Sequence, residues 1–190
     1  MIEFPWDTFP TLETERYNLR KLNESDIEDF FAIRSEKESM QYISRPLAKN
    51  HQDVIELMGR THDLFLAREG INWAISEKGN SALMGTIGFY RMKKEHFRAE
   101  VGYQLQKKYF RKGVMYEVLQ EVVKYGFEVM KLHSIEADIN PDNIASRKLL
   151  EKSNFKKEGM FKENFFFEGK FYDSEIYSLM NPVKYFNEYN

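Results

Sequence analysis

The order of its predicted elements assigns this chain to the α+β class. Short runs in which apolar and polar residues alternate indicate strands, and longer stretches with apolar residues at helical spacing indicate helices. The strand runs group in the middle and at the end of the chain, with helices before and between them, which is typical of a mixed α/β architecture. A length of 190 residues and a hydrophobic fraction of 42% predict one domain, residues 1–190, with a real core.

The first elements are a strand and two helices. Residues 17–20 alternate apolar and polar side chains, which predicts a half-buried strand. Ser25 stands three residues before Glu28, the spacing of a capping box, and this predicts the start of an amphipathic helix. Asn50 is placed to cap a second helix, which is expected to end near Gly70.

A group of strands follows. A Gly79-Asn80 turn and a charged loop separate three strand-like runs, so the chain is expected to form an antiparallel meander. Trp73, Phe89 and Tyr90 within these runs are expected in the core. The three runs are residues 71–76, 82–89 and 98–105.

The second half of the chain alternates helices and strands and ends in a hairpin. We expect at least one crossover, which leads from the strand that ends at Leu105 to a strand that starts near Ser134. The last two strands are expected to join the same sheet as the meander. The predicted elements are a helix at 113–130, a strand at 134–139, a helix at 143–153 and two strands around a turn at 168–170.

Charge and composition limit the partners and the chemistry. With 28 basic and 30 acidic residues the net charge is −2, so no overall field would recruit nucleic acid or an anionic membrane. The chain has no cysteine, so any thiol in the chemistry would come from a cofactor. None of the 4 histidines has the spacing of a metal ligand, and no metal is expected. Residues 1–6 lack a signal-peptide pattern and no run of ~18 apolar residues occurs, so we expect a cytoplasmic protein.

The segment between the meander and the long helix is suited to binding an anion. Here a strand ends, a basic turn contains Gly113, and a helix starts with unpaired amide hydrogens and the positive end of its dipole. Gly113 would let the backbone approach phosphate oxygens, and Arg111 and Lys112 add positive charge. A solvated loop that only starts a helix has the same composition, so the segment alone leaves both interpretations open.

This segment resembles the cofactor turn of the GNAT superfamily. Together with its neighbours, it is most similar to one branch of that superfamily, the ribosomal-protein N-terminal (alanine/serine) acetyltransferases. The turn around Gly113 is similar to the family's Gln/Arg-x-x-Gly-x-Gly/Ala motif, and Glu117 matches a glutamate that often follows it. Further matches run through nearly the whole chain in the family's order. They are residues 10–16 (P-T-L-E-T-E-R), 99–103 (A-E-V-G-Y), 140–146 (N-P-D-N-I-A-S), 150–155 (L-E-K-S-N-F) and 158–159 (E-G).

The resemblance implies a fold, a cosubstrate and a set of site residues. The fold would be a GNAT-like central, mostly antiparallel twisted sheet of about seven strands flanked by about four helices. The cosubstrate would be acetyl-CoA, and the chain would be an N-acetyltransferase. The residues implied to bind acetyl-CoA are Leu105, Gln106, Arg111, Lys112, Gly113, Val114, Met115, Asn143 and Ser146.

Several of these positions have individual roles in the family. Asn143 would hydrogen-bond the pantetheine arm, although a plain helix N-cap is an equally ordinary role for this residue. Ser146 would protonate the leaving thiolate, because Leu150 stands where many members carry a tyrosine for that step. A backbone N–H near Leu105 or Gln106 would stabilise the oxyanion.

Three positions of the turn depart from the branch. Arg111 stands where the branch usually has the first glycine of Trp-Gly-Lys-Gly, Phe110 replaces the tryptophan, and Met115 replaces a small residue. An outward-turned Arg111 side chain would fit this position and would be able to pair with a phosphate as a bidentate donor.

Glu100 is the first candidate for the general base. The period of two along a strand puts Glu100 on the same face as Gly102 and Gln104, opposite Tyr103. A carboxylate can take the proton of an α-amino group, whose ordinary pKa is about 7.7–8.0. A solvated carboxylate paired with Arg98 or a lysine is an equally good interpretation. Weaker candidates for the base are Glu163, Glu168 and Asp173.

The acceptor and the assembly remain open at this stage. The resemblance favours a protein N-terminal α-amino group, such as that of a ribosomal protein, which would attack the thioester directly in a ternary complex. The alternatives are a small amine (a polyamine, an aminoglycoside or an amino acid) and a CoA-binding module without turnover. The aromatic cluster formed by residues 165–167, Phe171 and Tyr172 is expected in the core or in a homodimer face.

Overall fold

A computed structural model describes residues 8–183, which form one eight-stranded sheet with helices on both faces. The spatial order of the strands is β1-β2-β3-β4-β5-β6-β8-β7. Residues 1–6, on which the expected location partly rests, lie outside the described part. The strands are β1 Leu12–Glu13, β2 Tyr17–Arg20, β3 Ile71–Glu77, β4 Gly85–Lys93, β5 Arg98–Leu105, β6 Ser134–Ile139, β7 Lys156–Phe167 and β8 Lys170–Met180.

The helices cover the two faces of the sheet unequally. Helices α1 and α3 pack on one face through a small apolar cluster that includes Phe30 and Val54. Helix α4 packs on the other face over the main core, joined by Leu150 of α5. The helices are α1 Ile27–Ser35, α2 Lys37–Met40, α3 His51–Leu66, α4 Val114–Glu128 and α5 Ile144–Lys152.

The predicted α+β class and the connectivity are confirmed. Neighbouring strands pair antiparallel except β5 and β6, which are parallel because α4 crosses over between them. The final hairpin joins the same sheet, since residues 175–180 of β8 pair with the whole length of β6. The sheet has one strand more than the seven expected, because the two-residue β1 precedes the strand predicted at 17–20.

The core lies between the sheet and α4. Trp73 and Phe89 are fully buried and meet edge to face, with ring centroids 6.3 Å apart. At Gly126 of α4, a Cβ atom would stand 2.8 Å from the Phe89 ring, so a glycine is what allows this helix to lie close to the sheet. Tyr90 is a correction to the predicted core, because its side chain lines the cavity on the opposite face.

Two predicted boundaries are also corrected. The capping box at the start of α1 is formed by Asn23 and Asp26 in a preceding turn, and Ser25 and Glu28 do not form it. The reason is that Asp26, buried to 1% exposure, is fixed by both terminal nitrogens of Arg20 at 2.7 Å each. The strand predicted at 82–89 begins at Gly85 and continues to Lys93. The Asn50 cap of α3 is confirmed, since its side chain accepts the Asp53 N–H at 3.2 Å.

Candidate active site

The centre of the sheet opens between β5 and β6. Their register pairs end at Glu100 and Glu136, although β5 continues to Leu105 and β6 to Ile139. Both strands stay paired on their outer sides, β5 with β4 and β6 with β8. The two strands therefore diverge beyond Glu100 and leave a gap in the middle of the sheet.

Main-chain groups of β5 face this gap. The Gln106 N–H donates to the Met84 carbonyl on the β4 side at 2.8 Å. Because main-chain groups alternate sides along an antiparallel strand, Tyr103 and Leu105 direct theirs away from β4, toward the gap. Of the two backbone donors expected near Leu105 and Gln106, the Gln106 amide is thus already committed to β4. Its side chain is buried and donates to the Leu83 carbonyl at 3.0 Å, which is a structural role.

Helix α4 starts with amide groups that no side chain caps. Gly113 is the N-cap residue, with a φ of 77° that favours glycine. It has no side chain, so no side-chain oxygen of the N-cap residue accepts a hydrogen bond from the first amides of the helix. Val114 is buried and Met115 packs against the core, so the first turn presents amides at its outer end. An unobstructed helix start of this kind, flanked by Arg111 and Lys112, fits a pyrophosphate group.

Arg111 has a left-handed backbone conformation. Its φ is 59°, in the region that favours glycine and strains other residues, and its side chain is exposed. The turn before α4 therefore contains two positions of positive φ, Arg111 and Gly113, with one residue between them.

The N-terminal segment fixes the start of α4. The Glu117 carboxylate accepts hydrogen bonds from the Thr14 hydroxyl at 2.6 Å, the Arg16 N–H at 2.9 Å and the Arg16 guanidinium at 2.7 Å. Arg16 also donates to the Lys112 carbonyl at 3.3 Å. Although burial raises the pKa of Glu117, the hydrogen bonds from Thr14 and Arg16 lower it overall. Arg16 thus neutralises a carboxylate that would otherwise repel an anion at this helix start.

Two hydroxyl groups meet beside the gap. The Ser146 Oγ lies 2.6 Å from the Tyr103 Oη, and Ser146 is buried. Burial raises the pKa of Tyr103 to about 12, against a lowering by the Ser146 hydrogen bond, so the phenol keeps its proton at neutral pH. Asn143 is the N-cap of α5, because its Oδ1 accepts the Ser146 N–H at 3.0 Å. The Nδ2 group of Asn143 is therefore the part of this side chain that can donate a hydrogen bond to a ligand.

Glu100 faces the opposite side of the sheet. Its side chain is 18% exposed and pairs with Arg91 at 2.8 Å, whereas the expected partner Arg98 pairs with Glu136 at 3.0 Å. Burial raises the pKa of Glu100, and the Arg91 charge opposes this. Asp138 and Glu136 raise it further, and both line a cavity of about 350 Å³ with Glu100.

A larger cavity of about 1200 Å³ lies between β3–β5 and helices α1 and α3. Glu100, Gly102 and Gln104 all line it, as the period of two predicts. A Cβ at Gly102 would stand 3.1 Å from a Tyr90 ring carbon, so the tyrosine ring covers this glycine. We call this cavity the groove.

Comparison with known proteins agrees with this architecture. The chain matches the acetyltransferase (GNAT) domain family over residues 16–156. It is 36% identical over 174 residues to the N-acetyltransferase YoaA of Bacillus subtilis, a match that covers 92% of this chain and 98% of that protein. The chain belongs to the GNAT acetyltransferase family. It is therefore an acyltransferase.

Solved GNAT structures share the fold. An acetyltransferase of the GNAT family from Bacillus anthracis superposes with a TM-score of 0.82 at 28% identity, covering 92% of this chain and 100% of that chain. RimL, a ribosomal L7/L12 α-N-protein acetyltransferase solved in complex with coenzyme A, has a TM-score of 0.81 at 17% identity, covering 90% of this chain and 98% of that chain. At that identity the RimL structure shows similarity of fold alone.

In this GNAT protein the predicted site residues lie on both faces of the sheet. Glu100 faces the groove, while Tyr103, on the other face of β5, contacts Ser146 of α5. The gap between β5 and β6 connects the two faces. Tyr103 and Asp138 were not predicted as site residues. The tyrosine lies in the A-E-V-G-Y motif, but its pairing with Ser146 joins residues 43 positions apart.

The aromatic cluster is exposed, so its expected place in the core is wrong. Phe166 and Phe171 are 59% and 56% exposed, with ring centroids 4.9 Å apart, because the β7–β8 hairpin extends beyond β6. A role in a homodimer face stays a prediction.

Within residues 8–183, no group of three or more His, Asp or Glu side chains is arranged to hold a metal ion. The helices of that same part are all too short or too polar to cross a membrane.

Proposed function

We propose that this GNAT protein transfers the acetyl group of acetyl-CoA to a primary amine, by direct attack in a ternary complex. A protein N-terminal α-amino group is the first choice of acceptor. The observation that carries the proposal is the gap between β5 and β6, which opens beside the uncapped start of α4. An anion site next to a passage through the sheet suits a long cosubstrate that has a pyrophosphate at one point and a reactive end at another.

The chain offers donors along this path. The amides of Val114 and Met115 would receive the pyrophosphate, with Arg111 and Lys112 adding charge. The main-chain groups of Tyr103 and Leu105 and the Nδ2 of Asn143 would bind the pantetheine arm. Bound acetyl-CoA would supply the acetyl group as an activated thioester.

The side chains around the gap would then move protons. Glu100 would accept the proton of the attacking amine, and its raised pKa brings it nearer to that of the amine. The Leu105 N–H would stabilise negative charge on the acetyl oxygen. Ser146 would give its proton to the departing sulfur. Because protonated Tyr103 can donate to the Ser146 Oγ, the serine hydrogen would be left to point into the gap.

A thiol-release assay run beside a CoA-binding titration tests the proposal. The amine panel holds a peptide with a free N-terminus, the same peptide with a blocked N-terminus, a polyamine, an aminoglycoside and free amino acids. We expect CoA to bind, and thiol to be released with the free but not the blocked peptide. Binding without release for every amine would indicate a non-catalytic CoA module, and release with small amines alone would indicate a small-molecule enzyme.

A further inference from the structure

The groove contains guanidinium groups that have no acidic partner. Arg34 of α1 is half-buried at its floor, and the exposed Arg45 and Arg60 stand near it at the rim. None of the ion pairs within residues 8–183 involves these three arginines. The side-chain partner of Arg34 is neutral, since its Nη1 donates to the Gln104 Oε1 at 3.1 Å.

The partly buried charge of Arg34 lowers the stability of the folded protein, because burial removes part of its hydration. Burial, with the charges of Arg45 and Arg60, lowers the pKa of Arg34, although Arg34 stays charged at neutral pH. A buried cation normally has a carboxylate beside it, because otherwise its lost hydration is uncompensated. Beside Arg34, the buried Gln104 Nε2 is also a donor without a hydrogen-bond partner. A guanidinium group that lines the groove without a carboxylate partner is complementary to an anion.

The groove lining also includes carboxylates, Asp53, Glu56, Glu69, Glu95 and Glu100. Of these, Glu100 lies four residues before Gln104 on the same face of β5, about 13 Å away along the strand. It is paired with Arg91 at 2.8 Å, and Asp138 lies near it in the smaller cavity. A ligand along β5 would therefore meet the Glu100 carboxylate at one point and the Arg34 guanidinium group at another.

We propose that the acceptor is a primary amine that also carries a carboxylate, which Arg34 binds while the amine lies toward Glu100. The inference rests on the proposed function and narrows its acceptor. The carboxylate would be that of an Asp or Glu side chain near the N-terminus of a peptide. The main-chain carboxylate of a free α-amino acid lies only about 3 Å from its amine, so it would not reach Arg34 while the amine lies toward Glu100. Polyamines and aminoglycosides would be poorer acceptors, because they carry no carboxylate for Arg34 to bind.

Pairs of acceptors that differ in one charge test the inference. The peptide pair has Glu or Gln at the second position, and the amino-acid pair compares an amino acid with its carboxamide. Because a hydrogen bond to a charged group is at stake, we expect kcat/KM to favour the charged member of the peptide pair by about 10- to 100-fold. The amino-acid pair is the control, because its carboxylate is too close to its amine to reach Arg34, and it should show no such preference.

The variant Arg34→Gln removes the guanidinium and keeps a hydrogen-bonding side chain. We expect it to abolish the preference for the charged acceptor while the neutral acceptor changes less than about threefold. Arg68→Gln is the matched control, because Arg68 is exposed and does not line the groove, and it should keep the preference. Thermal unfolding should show Arg34→Gln to be folded and close in stability to the unmodified protein, since Arg34 is half-buried and makes one side-chain hydrogen bond, to Gln104.

Equal kcat/KM for both members of the peptide pair would overturn the inference. An equal loss for charged and neutral acceptors in Arg34→Gln would also overturn it. Release of thiol with the neutral acceptors shows that the proposed function holds even if the inference fails. If no amine releases thiol, the proposed function fails, and calorimetric binding of the same pairs then decides whether Arg34 recognises the carboxylate. Weaker binding of the charged member to Arg34→Gln would support the inference, and unchanged binding would contradict it.

Discussion

The hydrogen bond between Tyr103 and Ser146 defines the role we give to each residue. It is 2.6 Å long, and burial raises the pKa of Tyr103 to about 12, so near neutral pH the phenol is a donor. A serine that accepts a hydrogen bond from tyrosine has its own hydrogen free for another acceptor. In this arrangement Ser146 contacts the sulfur and Tyr103 acts through Ser146.

Removing the Ser146 hydroxyl should separate binding from chemistry. We expect Ser146→Ala to lower kcat by about 10²-fold, because general acids contribute roughly 10²–10⁴-fold and a thiolate is a good leaving group. The CoA dissociation constant should stay nearly unchanged, since the hydroxyl acts in the transition state. Tyr103→Phe should give a smaller loss of kcat, and steady-state kinetics with a CoA titration measures both effects.

The matched control is Ser153→Ala. Ser153 is also buried and lies directly after α5, but its Oγ accepts a hydrogen bond from Gln120 at 3.0 Å, away from the gap. Its replacement should leave kcat within about threefold of the original. If Ser146→Ala loses no more activity than Ser153→Ala, the proton donor is not Ser146.

The loss caused by Glu100→Gln should depend on pH. An amine with a pKa of about 7.7–8.0 needs a base below that pH and is already neutral above it. We therefore expect a large loss of kcat/KM near pH 6 that shrinks as the pH rises toward about 9. Glu136→Gln is the control, because this neighbouring carboxylate pairs with Lys93 and Arg98. The same factor of loss at every pH would exclude Glu100 as the base.

At this scale the sequence predicts residue types and faces but not pairings. The alternation along β5 correctly put Glu100, Gly102 and Gln104 on one face. The sequence leaves Leu105 and Gln106 as alternative positions for the oxyanion donor, because the direction of each amide depends on the register between β4 and β5. The unpaired charge of Arg34 was also invisible, since it requires knowing which carboxylates are absent around it.

Helix α4 and strand β8 show how elements hold the site. The start of α4 is fixed from outside by Thr14 and Arg16, which bind its Glu117. Strand β8 is held to α5 and β7 by Glu175, whose side chain is 5% exposed and accepts from Lys157 at 2.7 Å and from Arg147 at 3.2 Å. Both contacts join segments that are distant in sequence.

Glu175→Gln should destabilise the protein at neutral pH. Burial raises the pKa of Glu175, but the Lys157 hydrogen bond and the charges of Arg147 and Lys157 lower it overall. A lowered pKa means that the carboxylate stabilises the fold above its unfolded pKa of about 4.3 and loses this effect as the pH falls through its folded value. We expect a loss of about 1–3 kcal/mol in the free energy of unfolding at pH 7, because the partners are partly exposed.

Urea unfolding at several pH values measures this difference. The unfolding free energies of Glu175→Gln and of the original protein should converge as the pH falls below about 4. Glu158→Gln serves as control, since Glu158 accepts a hydrogen bond from the Ser178 hydroxyl and is in none of the ion pairs found within residues 8–183. A difference that persists unchanged at low pH would show that the carboxylate charge is not what stabilises β8.

The sequence predicts most elements and not the gap between them. The strand at 134–139 and the meander strand at 98–105 were placed correctly, because their alternation is regular. That alternation continues past the point where β5 and β6 separate, so side-chain pattern carries no trace of the divergence. The start of α1 was misplaced because a buried Arg20–Asp26 pair, a tertiary contact, selected Asn23 as the cap.

The whole molecule is a sheet with a passage through it. The groove and Glu100 lie on one face, and α4, α5 and Ser146 lie on the other. An amine and a thioester would therefore meet from opposite faces, which lets both be bound at once, as a ternary complex requires. The class, the antiparallel meander and the crossover could be predicted from the sequence, because they follow from local periodicity and from the order of the elements along the chain. The charges that line the groove could not, because they come from distant segments.

The central claim is that CoA binds at the start of α4. A thermal-shift titration of the variant Gly113→Glu with CoA tests this claim most directly. Gly79→Glu is the matched control, because Gly79 has a similar φ of 80° beside the 77° of Gly113 but lies in a surface turn. Both variants should lose stability through backbone strain. CoA at about 100 times its dissociation constant should raise the Tm of the original protein and of Gly79→Glu by roughly 5–10 °C. We expect no rise for Gly113→Glu, and a full rise in that variant would contradict the account.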